Sequence, residues 1–178
     1  MLYLLAAAAA VAPGPMPMPM LIGSWRSTNQ ERPIEVDYRG ISNGLATAET
    51  WRTASGREMM TLYVEDNKGT TATHYCGQGN VATLRLEAKN GGRTDFAFVS
   101  ATGVERGEGV LVRLSFVVTP GQLRRIETYR EDGRDSTDVF EFVRVRRGAN
   151  ATISGPRSVK SSIRPLAGSH SELTEPSR

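Results

Sequence analysis

Cysteine and histidine are scarce in this chain, with one Cys and two His in 178 residues. A lone thiol closes no internal disulfide and provides no Cys-x-x-Cys or zinc-finger spacing, so folding rests on packing alone. Zinc would need Cys76, His74 and remote carboxylates, and a haem would hang on His74 alone; no ligand spacing supports either, and no cofactor is expected. Long apolar runs are also missing. Leu2 to Ala12 is an eleven-residue apolar run, well short of the roughly 20 residues that cross a bilayer. Excess charge is confined as well. The chain holds 22 Lys and Arg against 19 Asp and Glu, of which five and two respectively lie after residue 146. Residues 1 to 146 are therefore balanced, which argues against a nucleic-acid partner, since such proteins concentrate basic residues on their folded part. No amphipathic helix of ordinary length is legible.

The apolar run at 2–12 has the length of a secretory h-region, and Ala8, Ala10 and Ala12 offer small residues for cleavage, although no basic residue precedes it. Export to the periplasm or beyond is the expectation, with no stable membrane span after processing; a misplaced start codon is the alternative. Pro13 to Met20 alternates proline and methionine, an extended linker. Residues 1–20 thus form a leader and linker, 21–146 a single domain, and 147–178 a Gly-, Ser-, Pro- and Arg-containing tail too poor in apolar residues to fold. Asn150-Ala151-Thr152 in the tail fits a glycosylation sequon.

Between Leu21 and Arg146, short apolar and β-branched runs alternate with Gly, Asn, Asp and Pro clusters. The pattern predicts strands near 21–28, 34–39, 44–53, 57–65, 70–76, 82–88, 93–99, 110–118, 123–130 and 138–146. Turn chemistry separates them at 54–56, 66–69, 90–92, 120–121 and 131–133. In the strand at 110–118, Val110, Val112, Leu114, Phe116 and Val118 fall on one face. Many short antiparallel strands without helical cover are best closed into a barrel, which removes exposed edges. The expected fold is an all-β, up-and-down antiparallel β-barrel of about 8–10 strands, with a β-sandwich as the alternative. The Gly- and Glu-rich stretch 100–109 reads either as a lid at the open end or as an ordinary long hairpin connection.

Thr73 to Asn80 carries the chemistry. Strand alternation sets His74 and Cys76 on one face and Tyr75 on the other before the turn at Gly77 to Asn80. In the strand at 44–53, Leu45, Thr47, Glu49 and Trp51 share a face, so an acid sits among groups suited to a barrel interior and needs partners there. Thr61 and Tyr63 add hydroxyls from the next strand. Glu49, Thr61, Tyr63, His74 and Cys76 would form a polar wall, with Trp51 and Met59 as apolar contact area and Asn80 completing the candidate ligand-binding set. The same residues can instead be a hydrogen-bond network that pins strand register. A nucleophilic Cys76 activated by His74 is a third reading. Two positions along one strand separate them by roughly 6–7 Å, beyond direct hydrogen-bond reach unless a bulge closes the gap.

Gly23-Ser24-Trp25-Arg26 resembles the Gly-x-Trp opening strand of lipocalin-type barrels. That resemblance implies that Trp25 packs at the closed end under an arginine of the last strand, Arg144 or Arg146. Glu49-Thr50-Trp51-Arg52, Met60-Thr61-Leu62-Tyr63, Thr73-His74-Tyr75-Cys76 and Gly79-Asn80, in this order, resemble a group of uncharacterised bacterial lipocalin-like (calycin-type) proteins, a domain of unknown function. Val81 to Leu84 departs from the Gln-Pro-Arg-Met that commonly follows the Gly-Asn there. The resemblance implies a barrel with a ligand-sized cavity and no particular reaction. The expected partner is a small hydrophobic or amphipathic molecule held without catalysis. The alternatives are a Cys/His-dependent enzyme and a barrel filled by its own side chains. The pattern fixes no oligomeric state.

Overall fold

The computed structural model describes residues 18–145. They form ten strands: β1 Gly23–Ser27, β2 Ile34–Ile41, β3 Ala46–Thr53, β4 Glu58–Asp66, β5 Gly69–Tyr75, β6 Val81–Asn90, β7 Arg93–Thr102, β8 Val110–Thr119, β9 Gln122–Glu131 and β10 Arg134–Arg144. Every strand pairs antiparallel with its neighbour in sequence, and β1 pairs with β10 to close the barrel. All ten expected strands are present, and closure excludes the sandwich. The apolar run at 2–12, Arg146 and the segment 147–178 with its sequon lie outside the described residues.

Alternation along the strands explains which residues fill the interior. In β3, Thr47, Glu49 and Trp51 are buried and Arg52 is exposed; in β4, Thr61 and Tyr63 are buried, flanked by exposed Met60 and Val64 with half-buried Leu62 between them. The tight hairpin Asp132-Gly133 joins β9 to β10 with both residues at positive φ (47° and 78°), the twist that a two-residue hairpin needs.

Trp25, fully buried, anchors one end. Its indole N–H donates to the Leu21 carbonyl at 2.7 Å, so the short 3₁₀ turn Pro19–Leu21 folds under the barrel and buries Leu21. Arg144 of β10 lies over the indole at 4.2 Å from the ring centroid and donates to the carbonyls of Ile22 and Met20. Gly23 permits this approach, because a Cβ there would sit 2.8 Å from Arg144 Nη1. Above this end the lumen is filled by Val36, Leu84, Phe96, Leu114, Phe116, Leu123 and Phe142. Each such side chain contributes about 1.5–3 kcal/mol of burial.

Two expectations about faces and one about a connection are corrected. Leu45 does not share the interior face of β3: Ser42, Asn43 and Gly44 all take positive φ, and the resulting turn leaves Leu45 before the strand and 57% exposed. In β8 the register against β9 shifts between Leu111 and Arg113. This bulge places Leu111 opposite inward-facing Tyr129 and Val110 opposite Arg130, so Leu111 takes the fully buried position expected of Val110. Finally, β7 runs on to Thr102, so the connection to β8 spans only 103–109. The β7–β8 ladder itself covers Arg93–Ala97 against Arg113–Val117 and stops there.

Candidate ligand-binding site

The strand ends opposite Trp25 form an open-mouthed cavity of about 390 Å³, within the size range of small-molecule sites. Ile34, Trp51, Met59 and Phe140 form its apolar wall; Cys76 reaches it from the turn after β5, and Glu127 and Tyr129 from β9; Arg57, Glu131 and Asp138 stand at the rim. Trp51 meets Phe140 edge-on, with ring centroids 5.0 Å apart. Only the end holding Trp25 is therefore packed solid.

Beside this cavity lies a buried polar cluster centred on Arg125. Its guanidinium contacts Glu49 Oε2 at 2.5 Å and Glu127 Oε1 at 2.6 Å, and donates to the Tyr38 hydroxyl at 3.1 Å. It also stacks on Trp51 at 4.9 Å and on Phe116 at 5.4 Å. Tyr63 donates to Glu49 Oε2 at 2.6 Å, Thr61 to Glu49 Oε1 at 3.2 Å, and Tyr129 to Glu127 Oε2 at 3.1 Å. Arg125 and Glu49 are each 1% exposed, and buried charges persist only when paired in this way. Burial alone would lower the Arg125 pKa, but Glu49 and Glu127 outweigh it and hold the pKa well above the ordinary value. Burial, with Glu49 adding to it, pushes the Tyr38 and Tyr63 phenols well up.

His74 ends the chain of bonds. Its Nδ1 lies 3.1 Å from Thr61 Oγ1. Thr61 has one hydroxyl proton, which goes to Glu49, so Nδ1 carries the hydrogen and Nε2 is left as an acceptor. That Nε2 is buried without a partner, as is Arg125 Nη2. Burial, followed by the positive charge of Arg125, lowers the imidazole pKa.

The expected site residues therefore separate into three places. Trp51, Met59 and Cys76 line the cavity. Glu49, Thr61, Tyr63 and His74 form the network next to it, so the network and cavity readings of the sequence each describe part of the barrel. Asn80 stands apart: its amide donates to Glu108 Oε2 at 3.2 Å and to the Gly109 carbonyl at 3.3 Å, clipping the turn after β5 to the 103–109 connection. Cys76 lies one residue beyond β5, where its amide bonds back to the Asn80 carbonyl. The hydrogen bond of His74 goes to Thr61 and not to the thiol, so no Cys–His pair is formed. Among the described residues, no group of three or more Cys, His, Asp or Glu is placed to hold a metal.

Sequence reasoning missed Tyr38, Arg125, Glu127 and Tyr129. The last three alternate with Leu123 along one face of β9. The one signal for them in the sequence is the inward carboxyl of Glu49, which needs a partner and so calls for an inward-facing cation. The architecture is a closed ten-stranded antiparallel barrel, consistent with calycin-type folds in general. No protein-family model matches the chain, and no curated protein is similar to it in sequence.

Proposed function

We propose that this chain is an exported, lipocalin-like barrel that holds a small apolar or amphipathic molecule in its lumen without converting it. The observation that carries the reading is the asymmetry of the lumen: one end is packed around Trp25, and the other keeps a cavity of about 390 Å³ with apolar walls and the Glu127–Tyr129 pair at its polar side. The Arg144–Trp25 stack supports the lipocalin likeness, and the apolar run at 2–12 supports export. The buried network makes a fixed wall, because each of its carboxylates is already held by two or more donors. Rigid polar walls orient a ligand at small entropic cost.

Native mass spectrometry of the full chain purified from its own host, followed by denaturing release, tests this. A small molecule bound at one per chain is the expected result, together with its loss in Met59→Trp, which fills the cavity. An empty wild-type protein, or one whose load survives Met59→Trp unchanged, overturns it.

A further inference from the structure

The charges around the cavity define which end of an amphipathic ligand it receives. Glu127, Glu131 and Asp138 line it, against a single guanidinium, that of Arg57. Glu131 and Asp138 make no ion pair or side-chain hydrogen bond among the described residues, whereas Arg130 nearby is held in a two-bonded pair with Asp135 at 2.7 and 3.0 Å. Arg125 does not reverse this balance, because its one positive charge is shared between Glu49 and Glu127. The adjoining wall is aromatic: Trp51, Tyr129 and Phe140 border the same space. Trp51 already carries one cation, the Arg125 guanidinium 4.9 Å from its ring centroid. Aromatic faces next to carboxylates are the environment that an organic ammonium group finds favourable.

We propose that the cavity selects amphipathic cations, a class of small molecules with one protonated amine and an apolar body, over fatty acids and neutral alcohols of the same length. The proposal rests on the lumenal-binding reading above. The apolar body lies against Ile34, Met59 and Phe140, and the ammonium lies among Glu127, Glu131 and Asp138. An anion would meet the unpaired carboxylates of Glu131 and Asp138 at the mouth of the cavity, with only Arg57 to offset them, a repulsion that is felt most at low salt.

The test is calorimetric titration of the full chain at neutral pH and low salt with octylamine, 1-octanol and octanoate, which share one apolar length and differ in charge. Octylamine is expected to bind roughly tenfold or more tightly than 1-octanol, and octanoate more weakly than either, the size of effect that unit charges give near a protein surface. Glu131→Gln with Asp138→Asn should reduce octylamine affinity about tenfold and leave 1-octanol unchanged. Both residues are exposed, so the fold is not at stake. Arg57→Gln should raise octylamine affinity, an outcome that misfolding cannot produce. If 1-octanol matches octylamine, or octanoate binds best, the cation preference is overturned while lumenal binding stands. If none of the three binds, both readings fall.

Discussion

Replacing Arg125 with methionine probes the central cluster most directly. The substitution keeps much of the stem volume and removes the guanidinium that sits 2.5 Å from Glu49 and 2.6 Å from Glu127. It also removes the donor to Tyr38 and the stacking on Trp51 and Phe116. Two carboxyl groups then remain in the interior with only hydroxyl donors. Breaking a buried ion pair from one side costs about 3–5 kcal/mol, a large share of the roughly 5–15 kcal/mol that holds a domain folded. With a urea slope of about 2 kcal/mol/M, the unfolding midpoint should fall by roughly 2 M. Trp25 and Trp51 are both buried, so intrinsic fluorescence follows the transition. The triple variant Arg125→Met, Glu49→Gln, Glu127→Gln removes the stranded charge and should recover much of the loss, since the penalty lies in the unpaired carboxyls and not in the missing contacts. A midpoint for Arg125→Met within about 0.3 M of wild type, or a triple variant weaker than the single one, would refute this account of the cluster.

Three further expectations concern other parts of the barrel. Gly92→Ala places a Cβ 2.5 Å from the Val118 carbonyl oxygen, a backbone atom that cannot swing aside; urea titration should show a loss of about 1–3 kcal/mol. Arg144→Ala removes the stack on Trp25 and the donors to Met20 and Ile22; a loss of about 1–2 kcal/mol is expected, and Arg144→Lys should restore only part of it, because an ammonium lacks the planar fork. His74 has its imidazole pKa lowered from 6.5 by burial and by Arg125, so the unfolded chain takes up the proton first. Its contribution is present above that value and is lost as pH falls below it. Wild type should lose stability as pH falls through the ordinary histidine range, and His74→Gln should lose less; equal losses would remove His74 as the cause.

The barrel was legible because its strands alternate and its turns carry Gly, Asn and Asp at the right intervals. The face that Glu49 shares with Thr47 and Trp51 points to an inward acid, and hydrogen bonds join Thr61, Tyr63 and His74 to it while leaving out Cys76, the fifth member of the expected polar wall. What could not be read was anything requiring register across strands distant in sequence. Arg125 meets Tyr38 across 87 positions, and no local pattern announces such a pair. The Leu111 bulge was equally hidden, because one extra residue in β8 inverts the faces upstream of it while the run Val110 to Val118 still alternates. Asn80 belongs to the candidate ligand-binding set by sequence, yet its partners Glu108 and Gly109 show that it fastens two connections together.

The ladder that completes the ring has a consequence for how the chain reaches its native state. Nine of the ten ladders join consecutive strands and can form as local hairpins, each with a short loop to close. The tenth, β1 with β10, brings together residues more than a hundred positions apart through three register pairs, Trp25 with Arg144, Arg26 with Val143 and Ser27 with Phe142. The barrel is thus a string of local steps ended by one long-range step, and the side chain that spans this seam is Arg144, bonded to Met20 and Ile22 and resting on Trp25. Ring closure therefore behaves as a latch: a chain cut short before Phe142 would keep its other hairpins and lose all three register pairs that make them a ring.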